Sequence, residues 1–251
     1  MNIVVFDTET TSLEKPFCYD IGYVVINAEN AEHWEILAHR SFVVEQVWHN
    51  LPLFSSAYYA DKRPLYVSAM RARAAIMDKF GYICRQMRKD FRTYDVQLAF
   101  AFNSAFDEKV FNFNCDWYKC INPFDEIPIH DIRGFAHRFI VGADYKVFCD
   151  RNQYYTDAGN YSTTAEVIFR YITQNTDFIE AHTALKDAEI EADILHVCVL
   201  GGANLATPYP ARRSIEKVVD KTLHVQTADA DFYFDYRKIK INAEKTEIIL
   251  K

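Results

Sequence analysis

Ile3-Val4-Val5-Phe6-Asp7-Thr8-Glu9-Thr10-Thr11 sets the architecture of the chain. Four apolar residues run straight into two carboxylates. A continuous apolar run of this kind is the pattern of a strand buried on both faces. If the extended backbone continues through Thr8, Asp7 and Glu9 point to the same side, because side chains repeat every two residues. Two carboxylates at the end of a buried strand cost free energy unless something neutralises them. A divalent cation would do so, and Mg²⁺ or Mn²⁺ suits hard oxygen ligands. In isolation, an ordinary charged turn after a strand gives the same letters.

Two further stretches separate these alternatives. Ala99-Phe100-Ala101-Phe102-Asn103-Ser104-Ala105-Phe106-Asp107 is a second apolar strand ending in Asn and then Asp. His182-Thr183-Ala184-Leu185-Lys186-Asp187-Ala188 opens a helix. Asp7 with Glu9, then Asp107, then His182 with Asp187 follow the order and spacing of the three exonuclease motifs of the DEDD superfamily. The chain resembles the DEDDh branch, in which a histidine lies five residues before the last aspartate, as His182 does before Asp187. That branch includes polymerase proofreading subunits, ribonuclease T and oligoribonuclease.

The resemblance implies an α/β, ribonuclease-H-like mixed sheet flanked by helices over residues 1–202, leaving 203–251 as a small β-rich C-terminal extension. It implies a 3′→5′ exonuclease that releases nucleoside 5′-monophosphates from a single-stranded DNA or RNA 3′ end, with DNA favoured. Asp7, Glu9, Asp107 and Asp187 would hold two divalent ions, Mg²⁺ or Mn²⁺, and His182 would take the proton of the attacking water. Thr10, Leu13, Asn103 and Phe106 occupy the positions of substrate contacts. Two letters depart from the pattern. Ser12 stands where the family usually has Gly, which raises the question of a glycine-only backbone conformation. Phe102 stands where the family often has His, which removes a polar group but no metal ligand. A catalytically silent binding module on the same fold, or a polymerase-docking proofreading partner, is the alternative. A silent module would be expected to lose an acidic residue, and all four are present.

Composition sets bounds. The chain has 251 residues, half of them hydrophobic, enough for one substantial core. The leading apolar run stops at Asp7, too short for a signal peptide, and no apolar stretch approaches a membrane span. A cytoplasmic protein away from membranes is the expectation. Six scattered cysteines, none in a Cys-x-x-Cys pair, fit reduced thiols. Cys115 and Cys120, with His130 nearby, make at most part of a zinc site. A net charge of −7 argues against coating long duplex DNA, but not against gripping a strand end.

In chain order, Cys18 to Ile26 and Trp34 to Val44 read as strands that complete an antiparallel meander. Residues 45–67 match nothing familiar; Trp48, Tyr58 and Tyr59 there stack on bases or pack the loop down. Ser68 to Phe91 shows a helical period through Met70, Ala74, Met77, Phe80, Cys84, Met87 and Phe91. Between Asp61 and Arg92 nine Lys or Arg face three Asp, either a solvated surface or a phosphate-contacting one. Asn103 is placed to cap the next helix. A strand ends at Asp131, which is left out of the metal site. Gly142 to Gly159 reads as loop, Ser162 to Gln174 and Leu185 to Leu200 as helices, and 207–210 as a linker. Short strands follow, and this extension is a possible protein-docking element.

Overall fold

The computed structural model describes residues 1–211 throughout and, beyond them, the backbone of four strands. A six-stranded mixed sheet runs in the order β4-β3-β2-β1-β5-β6. Its strands are β1 (Asn2–Thr10), β2 (Cys18–Asn27), β3 (Glu35–Val44), β4 (Ile76–Asp78), β5 (Val96–Ala101) and β6 (Ile129–Asp131). β1, β2 and β3 form the antiparallel meander, while β5 lies parallel to β1, β6 parallel to β5 and β4 parallel to β3. This is the ribonuclease-H-like sheet, flanked by helices, that the first strand and its partners lead one to expect.

β1 is buried on both faces, and its period of two splits its side chains between two cores. Val4 and Phe6 join one core with residues of α4 (Phe80–Thr93) and α5 (Ala105–Tyr118). Ile3 and Val5 join the other, with α6 (Ile132–Phe139), α8 (Ala165–Thr173) and α9 (Ala184–Leu200). The same alternation, carried past Phe6, sends Asp7 and Glu9 towards the α9 side and Thr8 towards the α5 side. β1 runs on beyond its last pairing with β5, Val5 to Phe100. A crevice therefore opens at the carboxyl ends of these two parallel strands, the place where open α/β sheets bind ligands.

Several expectations are corrected. The helical period over 68–91 is broken into α3 (Arg63–Arg71), the edge strand β4 and α4. Arg73 adopts a positive φ of 58° between them, and Met77 sits in β4, largely out of the core. Residues 143–152 of the expected loop form a helix, α7 (Ala143–Asn152), which buries Tyr145 and Cys149, one turn apart. The irregular 45–67 stretch holds two single-turn helices, α1 (Glu45–Trp48) and α2 (Leu51–Phe54), and a 3₁₀ turn at Ala60–Lys62. Trp48 is buried against Phe54 and Tyr66. The supposed linker packs down: Tyr209 lies edge-on to Phe135 and Phe139 of α6, and a Cβ on Gly134 would collide with the Tyr209 carbonyl. Beyond it, β7 (Thr222–Gln226) pairs with β8 (Asp231–Asp235), and β9 (Ile239–Asn242) with β10 (Glu247–Leu250). Among the described residues no helix is long and apolar enough to cross a membrane.

Candidate active site

Asp7 and Glu9 at the end of β1, Asp107 in the first turn of α5 and Asp187 in the first turn of α9 converge on one cleft of about 470 Å³. Each reaches it for a local reason. Thr8, on the opposite side of β1 from its neighbours, donates its hydroxyl to Asp107 Oδ1 at 2.7 Å and so ties the first motif to the second. Asp20 holds the third motif. Its Oδ2 accepts the Ala184 backbone N–H at 2.8 Å and the Tyr66 hydroxyl at 2.8 Å. Gly22 completes the docking, because a Cβ there would overlap the Leu185 backbone nitrogen at 1.9 Å. The first turn of α9 can rest on β2 only where β2 has no side chain.

Burial and mutual repulsion hold the acidic groups far from their ordinary ionisation. Burial, followed by the like charges of Glu191 and Asp107, pushes Asp7 well up. Burial, then Asp187, brings Glu9 to about 9. Burial raises Asp107 to about 7, although the Thr8 hydroxyl pulls the other way. Burial, then Glu180, raises Asp187 to about 8. Clustered acids shifted apart from bulk values in a cleft are the signature of a functional site.

His182 precedes α9 in a left-handed conformation, φ 52°. Its ring stacks on Tyr59, centroids 4.1 Å apart and planes 11° from parallel. Nδ1 lies 3.8 Å from Glu180 Oε2, beyond hydrogen-bond reach. Burial and then the Lys62 charge lower its pKa, so the neutral imidazole is favoured and that proximity is not an ion pair.

The donor set suits a hard divalent ion. It is partly buried and rich in oxygen, and Asp187 Oδ1 has no hydrogen-bond partner. Glu9, His182 and Asp187 offer ligand atoms that all lie within 4.8 Å of one another. Asp7 and Asp107 face the same cleft. A divalent ion would be held by Asp7, Glu9, Asp107 and Asp187.

The nominated substrate residues divide. Asn103 and Phe106 line the cleft, whereas Thr10 and Leu13 do not. Leu13 is 72% exposed on the loop after β1, where Lys109 Nζ donates to its carbonyl at 2.6 Å. Asn103 does not cap α5. The residue has a positive φ of 62°, its N–H donates to Asp131 Oδ1, and the cap position falls to Ser104, without a side-chain bond. Asp131 instead caps α6 by accepting from Arg133 N. Ser12 raises no backbone difficulty, since it has no positive φ and its hydroxyl closes a turn with Lys15.

Three further charged residues of the cleft lie outside the motifs. Glu191, one turn after Asp187 on α9, is 3% exposed and accepts the Phe102 N–H at 3.1 Å. A second acid four residues on shares a helix face with the first, and this spacing was the available signal. Glu180 sits beside His182, with burial raising its carboxyl to about 7. Arg133 lines the cleft from α6, bonded through Nη2 to Thr163 at 3.2 Å, while its buried Nε has no partner.

No protein-family model matches the chain, and no curated protein sequence does. Among solved structures, E. coli exonuclease I in complex with a dT13 oligonucleotide is similar over 78% of this chain, at a TM-score of 0.48 and 14% identity. The chain spans only 40% of that protein. Sequence and superposition agree too loosely for residue roles to pass from one to the other.

Proposed function

We propose that the chain is a metal-dependent 3′→5′ exonuclease that hydrolyses phosphodiester bonds at single-stranded nucleic-acid ends, DNA in preference to RNA, releasing nucleoside 5′-monophosphates. The observation that carries this reading is the convergence of four carboxylates, two buried (Asp107 and Asp187) and two half-buried (Asp7 and Glu9), and one neutral histidine on a single cleft. Bound by those carboxylates, two Mg²⁺ or Mn²⁺ ions would supply positive charge to the scissile phosphate and acidify the attacking water.

The chain's own groups do the rest. His182, neutral at physiological pH, accepts the water proton. Tyr59 holds the imidazole plane by stacking, and Glu180 stands where it offsets the imidazolium charge once it forms. Arg133 lines the same cleft and brings a positive charge suited to a phosphate oxygen. Asn103 and Phe106 border the space left for the terminal nucleotide.

The test is a degradation ladder from 3′- and 5′-labelled single-stranded DNA and RNA, with Mg²⁺, Mn²⁺ or EDTA. Stepwise loss from the 3′ end, abolished by EDTA, is expected. His182→Ala should slow it by ~10²–10⁴-fold, the usual contribution of a positioned acid–base group. Cleavage that persists without divalent ions, or that starts at the 5′ end, overturns the reading.

A further inference from the structure

The fold gathers three thiols that the sequence keeps apart. Cys84 lies in the second turn of α4, Cys115 near the end of α5 and Cys120 just beyond it. A left-handed residue at Lys119, φ 53°, ends α5 and turns the chain back, so that the Cys120 N–H bonds the Cys115 carbonyl at 3.0 Å. Cys120 packs against α4 beside Gly81, where even a Cβ would stand in ordinary contact, 3.5 Å from the Cys120 Cβ. The three sulfur atoms all lie within 4.8 Å of one another, and none is in a disulfide. Cys84 and Cys115 are buried, while Cys120 is half-buried and, with Cys84, faces a separate cleft of about 440 Å³. His130 is not among the residues whose ligand atoms gather here.

We propose that Cys84, Cys115 and Cys120 form a zinc-binding site, distinct from the acidic cleft, with its fourth coordination position open to solvent. Zinc takes thiolates at about 2.3 Å in tetrahedral array, so adjacent sulfurs of one ion sit roughly 4 Å apart, close to the spacing found here. Three thiolates around Zn²⁺ carry a net charge of −1. Lys79, Arg85, Arg88 and Lys119 line the same cleft and offset it. Three of the nine basic residues of 61–92, Lys79, Arg85 and Arg88, thus stand at this cleft. The ion would clamp α4 to the end of α5 at the back of one core.

Cobalt(II) reports the site directly, because thiolate ligation gives a near-ultraviolet charge-transfer band that carboxylate ligation does not. The reduced full-length protein is titrated with Co²⁺ in excess Mg²⁺, which keeps the acidic cleft occupied. The band should saturate at one equivalent and be bleached by one equivalent of Zn²⁺. Cys120→Ser, at the half-exposed position, should weaken Co²⁺ binding at least ~100-fold, more than losing a mere outer-shell partner costs. Cys149→Ser, elsewhere in the molecule, should change nothing. Absence of the band in the reduced wild type overturns the proposal whatever the variants do. So does a band that survives Cys120→Ser and Cys84→Ser alike.

Discussion

Glu191 shows how a single side chain joins structure to site. Its carboxyl accepts the Phe102 N–H where β5 ends, and its charge is the largest electrostatic contribution raising Asp7. Burial, then the like charge of Asp107, pushes its own pKa well up. Glu191→Gln keeps an acceptor for the Phe102 N–H and removes the charge that repels Asp7. Glu191→Ala leaves that N–H unsatisfied at about 1–3 kcal/mol. Urea unfolding of metal-free protein should therefore show Ala clearly destabilised and Gln close to wild type; equal losses would show that the hydrogen bond anchors nothing. At this scale the sequence was legible where a motif named the residue. Asp7, Glu9, Asp107, His182 and Asp187 do come together. It was not legible where the role came from a neighbour: Glu191 and Arg133 belong to no motif, and Asn103 fits a helix cap by composition but adopts a left-handed turn instead.

Elements were legible in proportion to how much of their surface is buried. β1 and β2 are enclosed on both faces and stand out as apolar runs; α9 buries nine of its residues, so its stripe and its Gly201-Gly202 end mark it clearly. α7 buries only two, too few for a period to rise above its polar text, and β4 is an edge strand with two of three residues exposed. The apparent helix through Met70, Ala74 and Met77 reflects chance spacing across a break at Arg73. What matters for the site is how α9 docks on β2. Gly22→Ala places a methyl group into the Leu185 backbone, and backbone cannot rotate aside as a side chain can. It should cost about 1–3 kcal/mol by overpacking. It should also reduce turnover far more than strand binding, because Asp187 and His182 move with the helix end. The measurement is kcat and KM beside thermal unfolding. Lost stability with kcat intact would show that α9 reaches its place without β2.

The whole molecule carries a net charge of −7 and concentrates acidic groups where water is scarce. That arrangement ties stability to pH and metal in a definite sense. Asp20, Asp107, Asp187 and Glu9 have folded-state values of about 6, 7, 8 and 9, against ordinary values of 3.8 for Asp and 4.5 for Glu. Raised folded values mean that the folded state holds protons the unfolded chain releases. Their contribution is complete below the ordinary values and is lost as pH rises through the raised ones. Metal-free protein should thus lose stability steadily from about pH 4 to about pH 9. Divalent ions replace the protons, so Mg²⁺ should stabilise little near pH 5 and most near pH 8–9, by ~2.7 kcal/mol at a hundred times its Kd. Asp7→Asn removes one repelling charge and one ligand together. It should be more stable than wild type without metal at high pH, and respond less to Mg²⁺. Melting curves of the pair across this range, with and without Mg²⁺, decide the matter. Parallel, pH-independent curves would mean that the carboxylates are solvated and that the cleft does not concentrate charge for a metal to answer.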